Sequence, residues 1–111
     1  MHSDRLADFI KACTTCSLAC TMCIPECIRC NDAQKYQKCI ELMRDCLEIC
    51  KVTAAFYARK SIYTASLCQS CAIVCRECAK ECARHHLVEC QNCAKACQDC
   101  ALACDDIALT D

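Results

Sequence analysis

Residues 13–30 read CTTCSLACTMCIPECIRC, and this stretch decides which fold the chain can adopt. Its six cysteines are separated by steps of 3, 4, 3, 4 and 3 residues. Side chains repeated at a mean interval of about 3.5 residues lie along one stripe of an α-helix, as in the seam between packed helices. The stretch therefore predicts a helix that presents a continuous row of thiols to its neighbours.

The same spacing recurs along the rest of the chain. Residues 68–82 and 90–104 share the pattern C-Q-x-C-A-x-x-C-x-x-C-A-x-x-C at an offset of 22 residues, which indicates duplication of one helix. A further row at positions 39, 43, 46 and 50 becomes regular once Met43 is included. All 19 cysteines fall on these helical stripes: Cys13, Cys16, Cys20, Cys23, Cys27, Cys30, Cys39, Cys46, Cys50, Cys68, Cys71, Cys75, Cys78, Cys82, Cys90, Cys93, Cys97, Cys100 and Cys104.

Residues that favour helix ends divide the chain into four helices of about 25 residues each. Ser3 or Asp4 is expected to cap the first helix and Ser61 the third. Pro25 occupies an outward position, where it is expected to kink the first helix without turning the thiol stripe away from the core. The other predicted boundaries are an end near Cys30, a turn at Asn31-Asp32, a second helix at about Ala33 to Arg59, a third ending near Arg84, a corner at His85 to Val88, and a fourth ending before Thr110.

Short connections make consecutive helices antiparallel neighbours. The chain has no glycine and one proline, so it lacks the turn residues of a β-rich fold. We predict a single all-α domain over residues 1–111, an up-and-down antiparallel four-helix bundle with a cysteine-lined core. Basic side chains fall on its outward positions: Lys11, Lys35, Lys38, Arg44, Lys51, Arg76, Lys80 and Lys95.

Composition excludes several classes of partner and function. A formal net charge of −1, from 13 basic and 14 acidic residues, provides no patch for nucleic acid. No run approaches ~18 uninterrupted apolar residues, and residues 1–11 lack the apolar segment of a secretion signal, so we expect no membrane partner and a cytosolic location. The odd thiol number then favours reduced cysteines over a disulfide framework. No nucleophile–base pair or phosphate loop indicates an enzyme.

Thiols in this number indicate binding of a soft metal, for which Cu(I), Zn(II) and iron–sulfur clusters are the candidates. The common ferredoxin spacing is absent. Zn(II) held by four thiolates carries a net charge of about −2, which no inward cation would balance. Cu(I) replaces one thiol proton, so a bridged network stays nearly neutral. We predict multiple Cu(I) ions per chain; a zinc or other soft-metal detoxification protein and an iron–sulfur or thiol-redox protein are the alternatives.

The seven C-x-x-C pairs linked by C-x-x-x-C steps also carry a family resemblance. Over essentially its whole length, the chain resembles the cysteine-rich four-helix-bundle copper storage proteins, in particular the cytosolic bacterial type. The resemblance implies storage of many Cu(I) ions, exchange with copper donors and acceptors, and a homo-oligomer, often a tetramer. It rests on Cys13-x-x-Cys16-x-x-x-Cys20, on Cys39, Cys46 and Cys50, on Cys68-x-x-Cys71-x-x-x-Cys75 and on Cys90-x-x-Cys93-x-x-x-Cys97. Met43 at a cysteine position and Pro25 depart from the family pattern.

Three further residues are candidate copper ligands. Met43 offers a thioether, which suits Cu(I), and His85 and His86 offer imidazoles where the third and fourth stripes converge. We expect both histidines at the bundle end that also carries Cys27, Cys30, Cys82 and Cys90, and we expect copper to enter and leave there. An apolar plug is expected to close the opposite end: Leu6, Phe9, Phe56, Tyr57 and Ile62.

Overall fold

The computed structural model describes the backbone of residues 2–110 and the side chains of residues 5–110. It contains four α-helices: α1 (His2–Arg29), α2 (Ala33–Ala58), α3 (Thr64–Cys82) and α4 (Val88–Thr110). The described residues include no β-strand. The predicted all-α class is therefore confirmed.

The turn between α1 and α2 forms where the sequence predicts it. Asn31 adopts a φ of 53°, in the left-handed region, and so reverses the chain. The Asp32 side chain then accepts a hydrogen bond from the backbone N–H of Lys35 at 3.3 Å, which is a regular N-cap. The predicted cap of α1 is wrong, because this helix begins at His2 and includes positions 3 and 4; the side chains at those positions lie outside the described part of the chain.

The prediction that Ser61 caps α3 is also wrong. This helix begins three residues later, at Thr64, and the preceding Tyr63 makes no capping hydrogen bond through its side chain. Ser61 stabilises the connecting turn instead: its Oγ accepts from the Tyr63 N–H at 3.1 Å and its carbonyl from the Thr64 hydroxyl at 2.7 Å. Lys60, at a φ of 57°, reverses the chain just before this turn.

The remaining boundaries differ from the predictions by one or two residues. Helix α2 ends at Ala58, α3 ends at Cys82, and α4 continues through Thr110 instead of ending before it. After α3, the backbone N–H groups of Arg84 and His85 donate to carbonyls of the last turn at 3.1 Å each, and the predicted corner follows at residues 85–87.

The four helices form a closed ring that is 45 Å long and 21 by 18 Å across. Helix α1 packs against α2 and α4, and α3 packs against the same two helices, whereas among the described residues the backbones of α1 and α3, and of α2 and α4, do not approach closely and these diagonal pairs meet only through side chains at the bundle axis. Short connections between consecutive helices make each pair of neighbours antiparallel. This is the predicted up-and-down bundle.

Each helix turns its cysteine stripe towards the bundle axis. In α2 the buried positions are 36, 39, 43, 46, 50 and 53, which repeats the spacing seen in the sequence. Pro25 is exposed, as expected of an outward position. All the basic residues predicted to face outward are exposed: Lys11, Lys35, Lys38, Arg44, Lys51, Arg76, Lys80 and Lys95.

Helix α1 is long and apolar enough to cross a membrane, judged by length and composition alone. Its segment Arg5–Arg29 includes an 18-residue window with a mean hydropathy of 1.3. The segment still holds no uninterrupted run of ~18 apolar residues, since Thr14, Thr15 and Ser17 interrupt it. Much of the hydropathy comes from the cysteines, which face the other three helices, and the core helix of a bundle passes the same test.

The bundle end formed by the start of α1 and the end of α2 is closed largely as expected. Phe9 is buried, and its ring meets that of Tyr57 edge-on with a centroid separation of 5.0 Å. Leu6 and Phe56 are half-buried. The expectation for Ile62 is wrong, since this residue lies in the connection before α3 and is 88% exposed.

Candidate metal centre

Eighteen of the nineteen cysteines are buried, each with at most 1% of its surface exposed. All nineteen are free thiols. The exception to burial is Cys30, and the expectation that it lines the core is wrong. Helix α1 ends at Arg29, so the chain has already left the helical path when it reaches this cysteine.

Sulfur atoms from all four helices meet near the middle of the bundle. Cys16 Sγ lies 3.6 Å from Cys46 Sγ and 3.5 Å from Cys97 Sγ, while Cys46 Sγ also lies 3.7 Å from Cys75 Sγ. A thiolate–zinc bond is about 2.3 Å, and bonds of that length join two sulfurs about 4 Å apart through one trigonal ion. These sulfurs can therefore share a metal ion without movement of the helices.

Sets of four thiols recur along the axis, and successive sets share members. The ligand atoms of each set lie within 4.8 Å of one another. Shared membership means that one sulfur can bridge two metal ions. Four of these sets are Cys16, Cys46, Cys50 and Cys75; Cys16, Cys20, Cys46 and Cys97; Cys20, Cys78, Cys93 and Cys97; and Cys50, Cys71, Cys75 and Cys100.

Sulfur–sulfur contacts of 3.9 Å or less join most of the core into a single body, here called the central network. Its members are Cys13, Cys16, Cys20, Cys46, Cys50, Cys71, Cys75, Cys93, Cys97 and Cys100. Two groups of three, here called the end trios, lie nearer the corner between α3 and α4. The end trios are Cys23, Cys27 and Cys90, and Cys39, Cys78 and Cys82.

In the end trio of Cys23, Cys27 and Cys90, burial favours protonated thiols when no metal is bound. Burial raises the pKa of Cys27 to about 12, and the neighbouring Cys90 thiol adds to the effect. Burial likewise raises the pKa of Cys23. Among the described side chains no lysine or arginine is buried, so nothing inside could balance a surplus of thiolate charge. A metal that replaces one proton with one positive charge is therefore the least costly occupant.

Met43 lies within the thiol stripe of α2, between Cys39 and Cys46, and is fully buried. Its sulfur has no proton to lose and so adds a donor without adding charge. Met22, by contrast, faces away from the core and is 61% exposed.

The two histidines occupy different environments at the expected end of the bundle. His85 is buried, with its ring centroid 4.7 Å from that of Tyr36, whereas His86 is exposed. Burial, followed by the nearby Cys30 and Cys90 thiols, raises the pKa of Tyr36 to about 12. The structure thus brings His85 and these thiols to one end, as predicted.

Sequence reasoning missed Glu81 as a member of this end. Its side chain is buried and its Oε2 accepts a hydrogen bond from His85 Nε2 at 2.9 Å. Burial alone would raise the pKa of Glu81, but the bond from His85 and the charge of Arg84 hold it below its usual value. The sequence feature that indicates this pair is the spacing of four residues between Glu81 and His85, which places a carboxylate and an imidazole on one face of a helix.

Comparison with known proteins agrees with this geometry. The family model described as Csp, copper storage protein, matches residues 2–109. An uncharacterized cysteine-rich protein of Bacillus subtilis, YhjQ, is 35% identical over 86 residues, which is 78% of this chain and 80% of that protein.

Two solved structures show the same architecture. The Cu(I)-bound copper storage protein BsCsp3 has a TM-score of 0.89 and 34% identity, over 94% of this chain and 98% of that chain. A cytosolic copper storage protein from Streptomyces lividans, loaded with five coppers, has a TM-score of 0.90 and 35% identity, over 97% and 95% of the two chains. With a family match over nearly its whole length and four helices lined by buried thiols, the chain belongs to the copper storage protein family.

Proposed function

We propose that the protein stores multiple Cu(I) ions inside the bundle and holds them with the thiolates that line its core. The observation that carries this proposal is the series of four-sulfur sets with shared members, in a core that holds no buried lysine or arginine among the described residues. Shared sulfurs favour a metal that accepts few ligands and tolerates bridging, and thiolates are soft ligands that suit Cu(I). The Cu(I)-bound and copper-loaded relatives support the same metal.

Storage here is a binding function and not catalysis. Each Cu(I) displaces one thiol proton, so filling the core leaves its net charge almost unchanged. The proposed donors are the eighteen buried thiols together with Met43 and, at the corner between α3 and α4, His85 and His86. Cys30 lies outside the core and is not needed for the store.

Copper is proposed to enter and leave at the end that carries His85 and His86. The end trios lie there, and the exposed Cys30 and His86 stand outside them. The opposite end is closed by the edge-on contact of Phe9 with Tyr57. Imidazole binds Cu(I) less softly than thiolate does, so a histidine can pass an ion inward without retaining it.

The thiol chemistry of the protein and its relatives support proposals on its cellular location, its partners and its oligomeric state. We propose a cytoplasmic location, as is stated for the Streptomyces lividans relative, because reduced thiols persist there. Copper donors and acceptors are the proposed partners. We also propose a homo-oligomer, often a tetramer in this family, and large apolar side chains on the outer faces could form its contacts: Leu18, Met22, Ile73 and Leu102, all more than half exposed.

A direct competition between metals tests this proposal. Reduced protein is mixed anaerobically with equal excesses of Cu(I) and Zn(II), and native mass spectrometry then counts each metal per chain. We expect copper to fill the core and exclude zinc. A core filled by zinc would support the detoxification alternative, and visible absorption after incubation with iron and sulfide would support the iron–sulfur alternative.

A second test uses a variant in which Cys16, Cys46 and Cys97 are replaced by serine. Its matched control is Cys30→Ser. The first removes three neighbouring sulfurs from the central network, and the second removes the exposed thiol. Copper binding should fall in the first and stay unchanged in the second. Equal losses in both would show that copper binds thiols without regard to the core.

A further inference from the structure

Glu81 and His85 form a buried pair at the end of α3. His85 Nε2 and Glu81 Oε2 are 2.9 Å apart, and each side chain is only 6% exposed. Few carboxylates are buried in proteins without a specific partner, and here the partner is an imidazole one helical turn away. The pair is therefore part of the interior of the bundle at the corner between α3 and α4, and not a surface ion pair.

The other ring nitrogen of His85 has no partner. Nδ1 is buried, and it is the one buried side-chain nitrogen or oxygen without a hydrogen-bond partner among the described residues. Buried polar atoms are nearly always satisfied, so this exception requires an explanation, and a bound metal ion is one that suits an imidazole nitrogen. Because a carboxylate can only accept, Nε2 must carry the proton that it donates to Glu81, and neutral imidazole then presents a bare lone pair at Nδ1.

Several contacts hold the ring in this orientation. Arg84 Nη1 donates to the second carboxylate oxygen of Glu81 at 3.0 Å, which keeps that carboxylate in place. The Tyr36 ring lies over the imidazole at 4.7 Å and a tilt of 34°. Gln91 Nε2 donates to the His85 carbonyl at 2.6 Å, so the backbone is fixed as well.

We propose that Glu81 is a positioning residue, which holds the His85 imidazole in its Nε2–H tautomer so that Nδ1 is the ligand offered to Cu(I) at this end of the bundle. The inference rests on the proposed function, and it adds a residue that touches no metal. Metal-binding histidines commonly donate their second ring N–H to a carboxylate, which fixes the tautomer and makes the ligand more basic. Loss of such a partner typically lowers metal affinity about 10- to 100-fold.

A structural ion pair is the competing explanation for these contacts. In that case His85 would be an imidazolium, and its second N–H would be buried without an acceptor. The proposed tautomer avoids this arrangement, because a lone pair at Nδ1 awaits a metal and not a hydrogen-bond acceptor. The two explanations therefore predict different ring states in the reduced apoprotein.

Nuclear magnetic resonance of protein labelled with ¹⁵N in its three histidines distinguishes these states. The His85 signals are identified by their absence from a His85→Ala spectrum. In the wild-type apoprotein we expect the neutral Nε2–H tautomer at His85, with a Nδ1 resonance that moves when Cu(I) is added. An Nδ1–H tautomer, an imidazolium at neutral pH, or a Nδ1 resonance unchanged at full copper loading would overturn the proposal.

Glu81→Gln provides the second arm, because a neutral amide can either accept from Nε2–H or donate to Nε2, so the preference that the carboxylate imposes on the tautomer is lost. We expect this variant to show both neutral tautomers of His85 and to hold the copper ion at His85 about 10- to 100-fold more weakly against a chelator, with the same number of thiol-bound ions. Glu81→Asp, which keeps the carboxylate, should retain the wild-type tautomer. An unchanged tautomer in Glu81→Gln would overturn the proposal, whereas failure of storage itself would appear separately, as a loss of thiol-bound copper in the wild type.

Discussion

Replacing Met43 by cysteine should raise the Cu(I) capacity of the bundle by about one ion. The substitution completes the thiol row at positions 39, 43, 46 and 50, where a fully buried thioether now stands. It also removes two non-hydrogen atoms from that position. At about 0.8 kcal/mol per buried methylene, plus the cost of a small cavity, the reduced apoprotein should lose about 2 kcal/mol in free energy of unfolding.

Native mass spectrometry after anaerobic loading measures the capacity, and urea unfolding of the reduced apoprotein measures the stability. Met43→Leu is the control, since it keeps the volume while removing the sulfur. It should cost less than about 1.5 kcal/mol and lower the capacity by at most about one ion. If Met43→Cys binds no more copper than Met43→Leu, sulfur at this position does not contribute to the store and the reasoning is refuted.

Three further outcomes follow from the same structure. Burial raises the pKa of Cys27 from 9.0 to about 12, so this thiol loses its proton more readily in the unfolded chain than in the folded one. The contribution of Cys27 to apoprotein stability should therefore be complete below about pH 9 and disappear as the pH rises towards 12. Urea midpoints that stay constant from pH 8 to 11 would contradict this. Cys46→Ser should lower the copper capacity by at least about one ion, since Cys46 belongs to two four-sulfur sets. An unchanged number of copper ions per chain in native mass spectrometry would contradict the bridging role of Cys46. Alanine at both His85 and His86 should change the rates of copper uptake and of removal by a chelator, with capacity kept within about two ions; rates that respond only to substitutions near Phe9 would place the entrance at the other end.

The helical stripes could be predicted because packing of the cysteines requires a strict period. Steps of three and four residues allow one helical face, and all eighteen core thiols lie where this period places them. The period placed Cys30 in the core incorrectly. This cysteine keeps the spacing of the stripe, but α1 ends one residue before it. A period describes a helix and cannot report where that helix stops.

Contacts made at helix ends were harder to predict. Ser61 is of a residue type that favours N-caps, yet it stabilises a turn, and α3 begins two residues later than a cap at Ser61 would require. Ile62 is apolar enough for a plug, but its position in a connection leaves it in solvent. Glu81 was missed because burial of a carboxylate depends on a partner that tertiary packing brings into place, and a residue's identity does not reveal that partner.

Anaerobic titration of the reduced apoprotein with Cu(I), followed by native mass spectrometry, tests the central claim most directly. The bridged sulfur sets predict filling on the order of one ion per thiol, close to the number of buried cysteines, with about one proton released per ion. Saturation at only about four ions would mean separate clusters in place of a continuous store, and it would contradict the account of the core given above.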